Sequence, residues 1–381
     1  MMKFFEQKRQ QLISEIVILS AIFGFAGGIV GELVADVYLD PWHNSYLTNS
    51  AVNSDPTVSE LKPVKRIIAS DQDFAIYQAV QKISPAILGI YQKKPTTTNV
   101  LNQIYLPGSL LGNGIILTND GWLATVNAAI AGKRADQLTL VHGQKIFPVT
   151  KIVSDKISQV IFLKIDANNL PVATLGDSDE ILAGQVVVNL NSVNEVKVNS
   201  IKNPDYYFIS SASSLVLTSE EYGKSILLEN LATDGFMGSP LFNLDGEVIG
   251  LVNQINQQAL ISPVNHFRFL LKEVLKNQLV KRPYLGVTYL DLTQTLGLDQ
   301  ALRQNREAGA LIYQLVNNSP AQQFGLEKND IILSVENQTI DQENNLAELI
   351  QQYQIGDEIN LEILRAGKVI NKKVILGQVK D

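Results

Sequence analysis

Few side chains in this sequence could do covalent chemistry. There is no cysteine, which removes thiol nucleophiles, disulfides and cysteine-ligated zinc. Histidine, the usual base of serine hydrolysis, occurs only at His43, His142 and His266. The stretch DGFMGSPLF, Asp234 to Phe242, holds Ser239 between an apolar run and the hairpin signal NLDGEVIGLV. A serine hydroxyl is a weak nucleophile until a base takes its proton. Lys133, Lys156 and Lys164 are the cations that could complete a Ser–Lys pair. The competing reading makes Ser239 a small residue packed beside a strand start. No cofactor and no metal is expected.

The elements that must position these residues come from a chain of 381 residues, 45% hydrophobic and 18% charged. That is enough for two or three domains with real cores. The net charge of -7 argues against a nucleic-acid partner, which favours a basic face.

Lys3, Lys8 and Arg9 precede IVILSAIFGFAGGIVG, Ile16 to Gly31, a run without charge. Extended to residues 12–35 it reaches the ~20 residues a bilayer core needs. The positive flank predicts residues 1–11 in the cytoplasm and the rest outside, the protein held in the cell membrane by a single pass. A cleaved signal peptide is the runner-up, but Leu33-Val34-Ala35 is a poor cleavage site. The pairs Gly24, Gly28 and Gly27, Gly31 have small-xxx-small spacing, which suits helix packing in lipid or merely reflects the frequency of Gly there. Residues 36–73, with Pro41, Pro56 and Pro63, read as a stalk.

From Phe74 the pattern is helical to Pro85 and then gives short strands. Asn119-Asp120-Gly121, His142-Gly143 and Asp245-Gly246 are hairpin turns. NHFRFLLKEVLKNQLV, from Asn265, predicts a helix with Phe267, Leu270, Leu271, Val274 and Leu275 on one face. His266, in its first turn, reads as a partly buried polar residue. The expected fold is mainly β, a barrel or sandwich pair over roughly 190 residues.

AVQKISPAILGIY, LLGNGIILTNDGWLATVNAAIAG, VSDKISQVIFLKID, NNLPVATLGDSDEILAGQVV, GSPLFNLDGEVIGLV and SPVNHFRFLLKEVL resemble the HtrA/Deg family of trypsin-like serine proteases in order and spacing. RPYLGV resembles that family's junction with a PDZ domain. The resemblance implies a chymotrypsin-like double β-barrel over residues 74–280 and an α+β PDZ domain over 281–381. It also fits a preceding membrane segment.

Carried over residue by residue, the triad positions are occupied by other residues. Ala128 stands at the His position, Gln159 at the Asp position and Met237 at the Ser position. Ala128 cannot accept a proton, Gln159 cannot compensate an imidazolium, and a Met237 thioether cannot acylate. Ser239 stands where the family has a glycine. At the oxyanion position Gly235 remains, Phe236 replaces Asn, and Phe236 and Met237 are expected to fill part of the cleft. The cleft is then either closed to an extended substrate or converted to apolar binding. The stretch Leu190 to Ser214 also departs from the family, which puts coupling between the PDZ domain and an active site in doubt.

In the PDZ segment, Tyr284, Leu285, Gly286 and Val287 resemble the carboxylate-binding loop. Leu346, Leu349 and Ile350 lie on the helix expected beside the groove. These residues imply binding of C-terminal or unfolded peptide segments, added as a strand to a sheet edge. Leu349 and Ile350 read equally well as core.

The function implied is that of an envelope protein without protease activity. It binds peptides, in the manner of an adaptor or chaperone in protein quality control, or joins homo- or hetero-trimers of HtrA-like subunits. The competing readings are an active serine-type endopeptidase and a structural scaffold that binds nothing.

Overall fold

A computed structural model describes residues 71–230, 234–255 and 259–378. The expected membrane span at 12–35 and nearly all of the stalk lie outside the described residues. Among the described residues no helix is long and apolar enough to cross a membrane.

The chain enters through α1 (Asp71–Ile83), which ends before Pro85, where the ring removes a backbone donor. The apolar run that follows forms β1 (Ile87–Gln92). It opens a six-stranded closed barrel with β2 (Leu110–Ile116), β3 (Trp122–Val126), β4 (Leu138–His142), β5 (Lys145–Ser154) and β6 (Val160–Ile165), in the order β1-β2-β3-β6-β5-β4. Between β3 and β4 lies one short helix, α2 (Asn127–Ile130). The Asn119-Asp120-Gly121 and His142-Gly143 turns join β2 to β3 and β4 to β5, as their sequences require.

A second closed barrel follows. Its strands are β7 (Val186–Leu190), β8 (Val196–Tyr207), β10 (Lys224–Leu228), β11 (Pro240–Phe242), β12 (Val248–Ile255) and β13 (Ala259–Pro263). The missing number, β9 (Val216–Thr218), leaves the barrel to join a different sheet. Alternation along the strands divides the apolar residues between two cores. Val187, Leu241, Ile249 and Val252 fill the second barrel, whereas Val188, Phe242, Val248 and Leu251 belong to the larger core around the first.

The expected helix from Asn265 is shorter than its pattern. Residues 264–266 form a 3₁₀ turn, and α3 runs only Leu270–Asn277. Phe267, Leu270 and Val274 are buried, but Leu275 is 43% exposed and does not belong to the buried face.

The last domain is a seven-stranded sheet built on β15 (Val287–Asp291), after the short β14 (Pro283–Tyr284). Two single turns, α4 (Gln300–Arg303) and α5 (Pro320–Gln323), flank β16 (Ala310–Leu315). β17 (Ile331–Val335), β18 (Gln338–Thr339) and α6 (Leu346–Ile350) follow. The chain closes with β19 (Glu358–Arg365), β20 (Lys368–Ile375) and β21 (Gly377–Gln378), the last paired with β14. The sheet order is β20-β19-β17-β16-β15-β9, with β18 on β17.

Candidate functional site

Ala128, Gln159 and Met237, the positions at which the sequence led us to expect a replaced triad, lie on neighbouring segments. α2 carries Ala128, and the amide of the preceding Asn127 donates to the Gln159 carbonyl at 2.9 Å. The Met237 carbonyl accepts from the Asn113 amide of β2 at 2.8 Å. Gly238, at φ +72°, lies so close that an added Cβ would stand 2.4 Å from the Asn113 carbonyl and 3.2 Å from Ala129 Cβ. A left-handed backbone with no room for a side chain explains why glycine stands there.

No proton path links the side chains. Ala128 presents an exposed methyl. Gln159 adopts φ +61° and turns its amide outward, where Nε2 donates to the Lys156 carbonyl at 2.6 Å. Met237 is half-buried and packs on the large core around the first barrel. Phe236 corrects the expectation that both residues fill the cleft. It is 1% exposed and belongs to the core of the second barrel, beneath Lys197, whose amine lies 5.3 Å from the ring.

Ser239 is fully buried, and its Oγ has no hydrogen-bond partner. No substrate carbonyl reaches it without opening β11 and β12. The Lys164 amine is committed to the carbonyls of Asp120 and Ile165. His142 faces the Pro85 carbonyl, and His266 is buried beside the last domain.

Sequence reasoning missed Asn113. It is fully buried in a strand of apolar neighbours, which was the available signal. Its Nδ2 donates to the carbonyls of Gly235 and Met237 at 2.9 and 3.1 Å, and its Oδ1 accepts from the Ser192 amide at 2.8 Å. One side chain thus ties the segment around Gly235 and Met237 to both barrels.

A cleft of about 630 Å³ lies elsewhere, between the second barrel and α6. None of Ala128, Gln159 and Met237 lines it. On its wall His266 stacks on Tyr222, rings 3.8 Å apart, and its Nε2 lies 3.2 Å from Glu348 Oε1. Burial lowers the His266 pKa despite Glu348. Burial also works against the Lys224 charge, but Glu348 and Asp205 outweigh it and hold the amine's pKa up.

In the last domain, Leu285, Val287, Leu346, Leu349 and Ile350 are all in the core. Gly286 sits at φ +83°, and an added Cβ would lie 2.3 Å from Ser319 Cβ. That left-handed turn aims the Leu285 and Gly286 amides at one point, where both meet Glu220 Oε1, at 3.2 and 2.9 Å.

A trypsin-like peptidase domain model matches residues 112–251, and a PDZ domain model matches 283–376. The chain therefore joins a trypsin-like double barrel to a PDZ domain. The arrangement is HtrA/DegP-like. A probable periplasmic serine endoprotease DegP-like of Pseudomonas putida is 31% identical over 283 residues, covering 71% of this chain and 57% of that protein. One of Marinomonas is 29% identical over 343 residues, covering 79% and 70%. The chain spans little more than half the length of most of these relatives. Among solved structures, the HtrA-type protease AlgW with decapeptide matches at TM-score 0.60 and 22% identity, over 80% of this chain and 99% of that one. AlgW with tripeptide matches at TM-score 0.60 and 23% identity, over 80% and 98%. At these identities the structures speak to the fold.

Proposed function

We propose that this chain is an HtrA-like protein that does not hydrolyse peptide bonds and that binds peptide segments through its PDZ domain. The observation that carries the first half is the chemistry at the three converging positions. A methyl at Ala128, an outward amide at Gln159 and a packed thioether at Met237 offer neither base, nor counter-charge, nor nucleophile. The buried Ser239 hydroxyl does not replace them.

The second half draws on the convergent Leu285 and Gly286 amides and on the edge of β15, which suit a strand ending in a carboxylate. Relatives named periplasmic support an extracytoplasmic place for the folded domains. Anchoring through residues 12–35 and trimers with HtrA-like subunits belong to the same proposal. The competing reading, an active serine endopeptidase, draws on the names of those relatives.

The test is cleavage of unfolded casein by the full chain beside Ser239→Ala. A third protein carries Ala128→His, Gln159→Asp and Met237→Ser. The native chain is expected to be silent. Cleavage by the native chain overturns the reading, and its loss in Ser239→Ala would name the nucleophile. Activity confined to the refitted protein would show that only the triad side chains are lacking.

A further inference from the structure

The segment between β8 and β10 does not stay with the second barrel. It crosses to the PDZ domain and lies along β15 as an added antiparallel strand, with Thr218 opposite Thr288, Leu217 opposite Tyr289 and Val216 opposite Leu290. It thereby covers the sheet edge that a bound peptide would use. Leu217 packs against the PDZ core.

The end of this strand meets the carboxylate loop. The Ser219 amide donates to the Val287 carbonyl at 3.0 Å, and the Val287 amide donates back to Ser219 Oγ at 3.1 Å. The Glu220 side chain then folds so that its Oε1 accepts from Leu285, Gly286 and the Ser219 hydroxyl. A carboxylate placed two residues beyond the paired strand, on two converging amides, reproduces the chemistry of a chain terminus. Here it comes from a side chain in mid-sequence.

We propose that Val216–Glu220 is an internal competitor that occupies the PDZ groove in place of a peptide strand ending in a carboxylate, with Leu217 standing where such a strand would place an aliphatic residue two positions before its end. In that pairing the ligand's last residue takes the place of Ser219, and its carboxylate takes the place of Glu220. Binding is then an exchange of one strand for another. The inference rests on the peptide-binding reading above and adds to it the competitor. The segment is tethered close by: the Tyr222 hydroxyl accepts from Arg282 Nη1 at 2.9 Å, so displacement is opposed by effective concentration.

The experiment uses the full chain and a labelled peptide SSLVLTS, the sequence of residues 213–219 with a free carboxylate, followed by fluorescence anisotropy. The same peptide as a C-terminal amide is the control. With the competing carboxyl removed from the Leu285 and Gly286 amides, Glu220→Ala is expected to tighten binding about tenfold or more. Glu220→Gln, which keeps the shape, is expected to do so in part, and the amide is expected to bind neither variant. Amide exchange at Leu285 and Gly286 should also speed up in both variants without peptide. If native and variant chains bind the carboxylate peptide equally, the segment is no competitor and the inference fails, while peptide binding stands. If no chain binds the peptide although exchange speeds up, peptide binding itself fails and the inference with it. Unchanged exchange in both variants overturns the carboxylate contact from which the inference starts.

Discussion

Arg282 and Asp155 form a buried ion pair, Nη2 to Oδ2 2.5 Å, with side chains only 3% and 2% exposed. Asp155 lies four residues before Gln159 in the turn joining β5 to β6, and Arg282 stands at the entry to the PDZ domain. The same guanidinium donates to Tyr222 Oη and to the His266 carbonyl, with Gln351 Oε1 near its limit at 3.4 Å. The first barrel, the second barrel and the PDZ domain therefore share one charge.

Removing one partner of such a pair leaves the other charged and dry, at a cost of ~3–5 kcal/mol. Asp155→Asn and Arg282→Met are each expected to lose about that much in urea denaturation, and the pair Asp155→Leu with Arg282→Met is expected to recover part of it. Burial pushes the Asp155 carboxyl up, but hydrogen bonds and charge from Arg282, helped by Ser158, hold its pKa below the usual range. A depressed carboxyl stabilises fully above its unfolded value and loses that contribution as pH falls through the folded one. The gap between native and Asp155→Asn should therefore narrow as pH falls below about 3.9, the ordinary value for aspartate. A constant gap would place the stability elsewhere.

Phe236 and Met237 point to different cores, so their truncations should differ. Phe236→Ala opens a cavity inside the second barrel and is expected to cost ~3–5 kcal/mol. Met237→Ala removes a half-buried side chain and should cost clearly less. Urea midpoints compare the two, and the reverse order would return Phe236 to the cleft. For the same reason the refitted triad should leave Phe236 in place.

Much of the architecture was legible because it is local. Asn119-Asp120-Gly121, His142-Gly143 and Asp245-Gly246 fix hairpins through their own backbone preferences, and Pro85 ends α1 by itself. What escaped depends on partners distant in sequence. Val216-Leu217-Thr218 has ordinary strand composition, and nothing local says that its neighbour is Val287–Asp291. Asp155 gains its role only from Arg282, 127 residues on. The direction of Phe236 follows from the turn Asp234–Phe236, whose shape the residue types do not dictate. The helix from Asn265 starts late because its first residues close a 3₁₀ turn that places His266 against Tyr222.

Asn113 should matter beyond its size. Asn113→Ala leaves the Gly235 carbonyl and the Ser192 amide without the contacts this side chain gives them. Each buried polar group left unpaired costs ~1–3 kcal/mol. Asn113→Asp keeps the acceptor for Ser192 but turns an oxygen toward two carbonyls, and is expected to be the worse of the two. Thermal melts rank the variants, and a neutral Asn113→Ala would show that water serves equally well in that position.

His266 offers the clearest pH dependence near neutrality. Its ring faces Glu348, Lys224, Arg282 and Tyr222, and burial, the largest influence, holds its pKa below the ordinary value. The unfolded chain therefore binds a proton at higher pH than the folded one. Stability from this group is complete above the unfolded value of about 6.5 and is lost as pH falls toward the folded value. Glu348 acts in a lower window. Burial raises its pKa, but His266 and Lys224 outweigh that and hold it down, so its contribution persists until pH falls below about 4.3, the ordinary value for glutamate. His266→Phe keeps a ring on Tyr222 and removes the titration. Its stability should change less than that of the native chain over the interval of pH just below about 6.5. Urea midpoints across that interval decide the matter: an undiminished slope in His266→Phe would assign the acid sensitivity to another group.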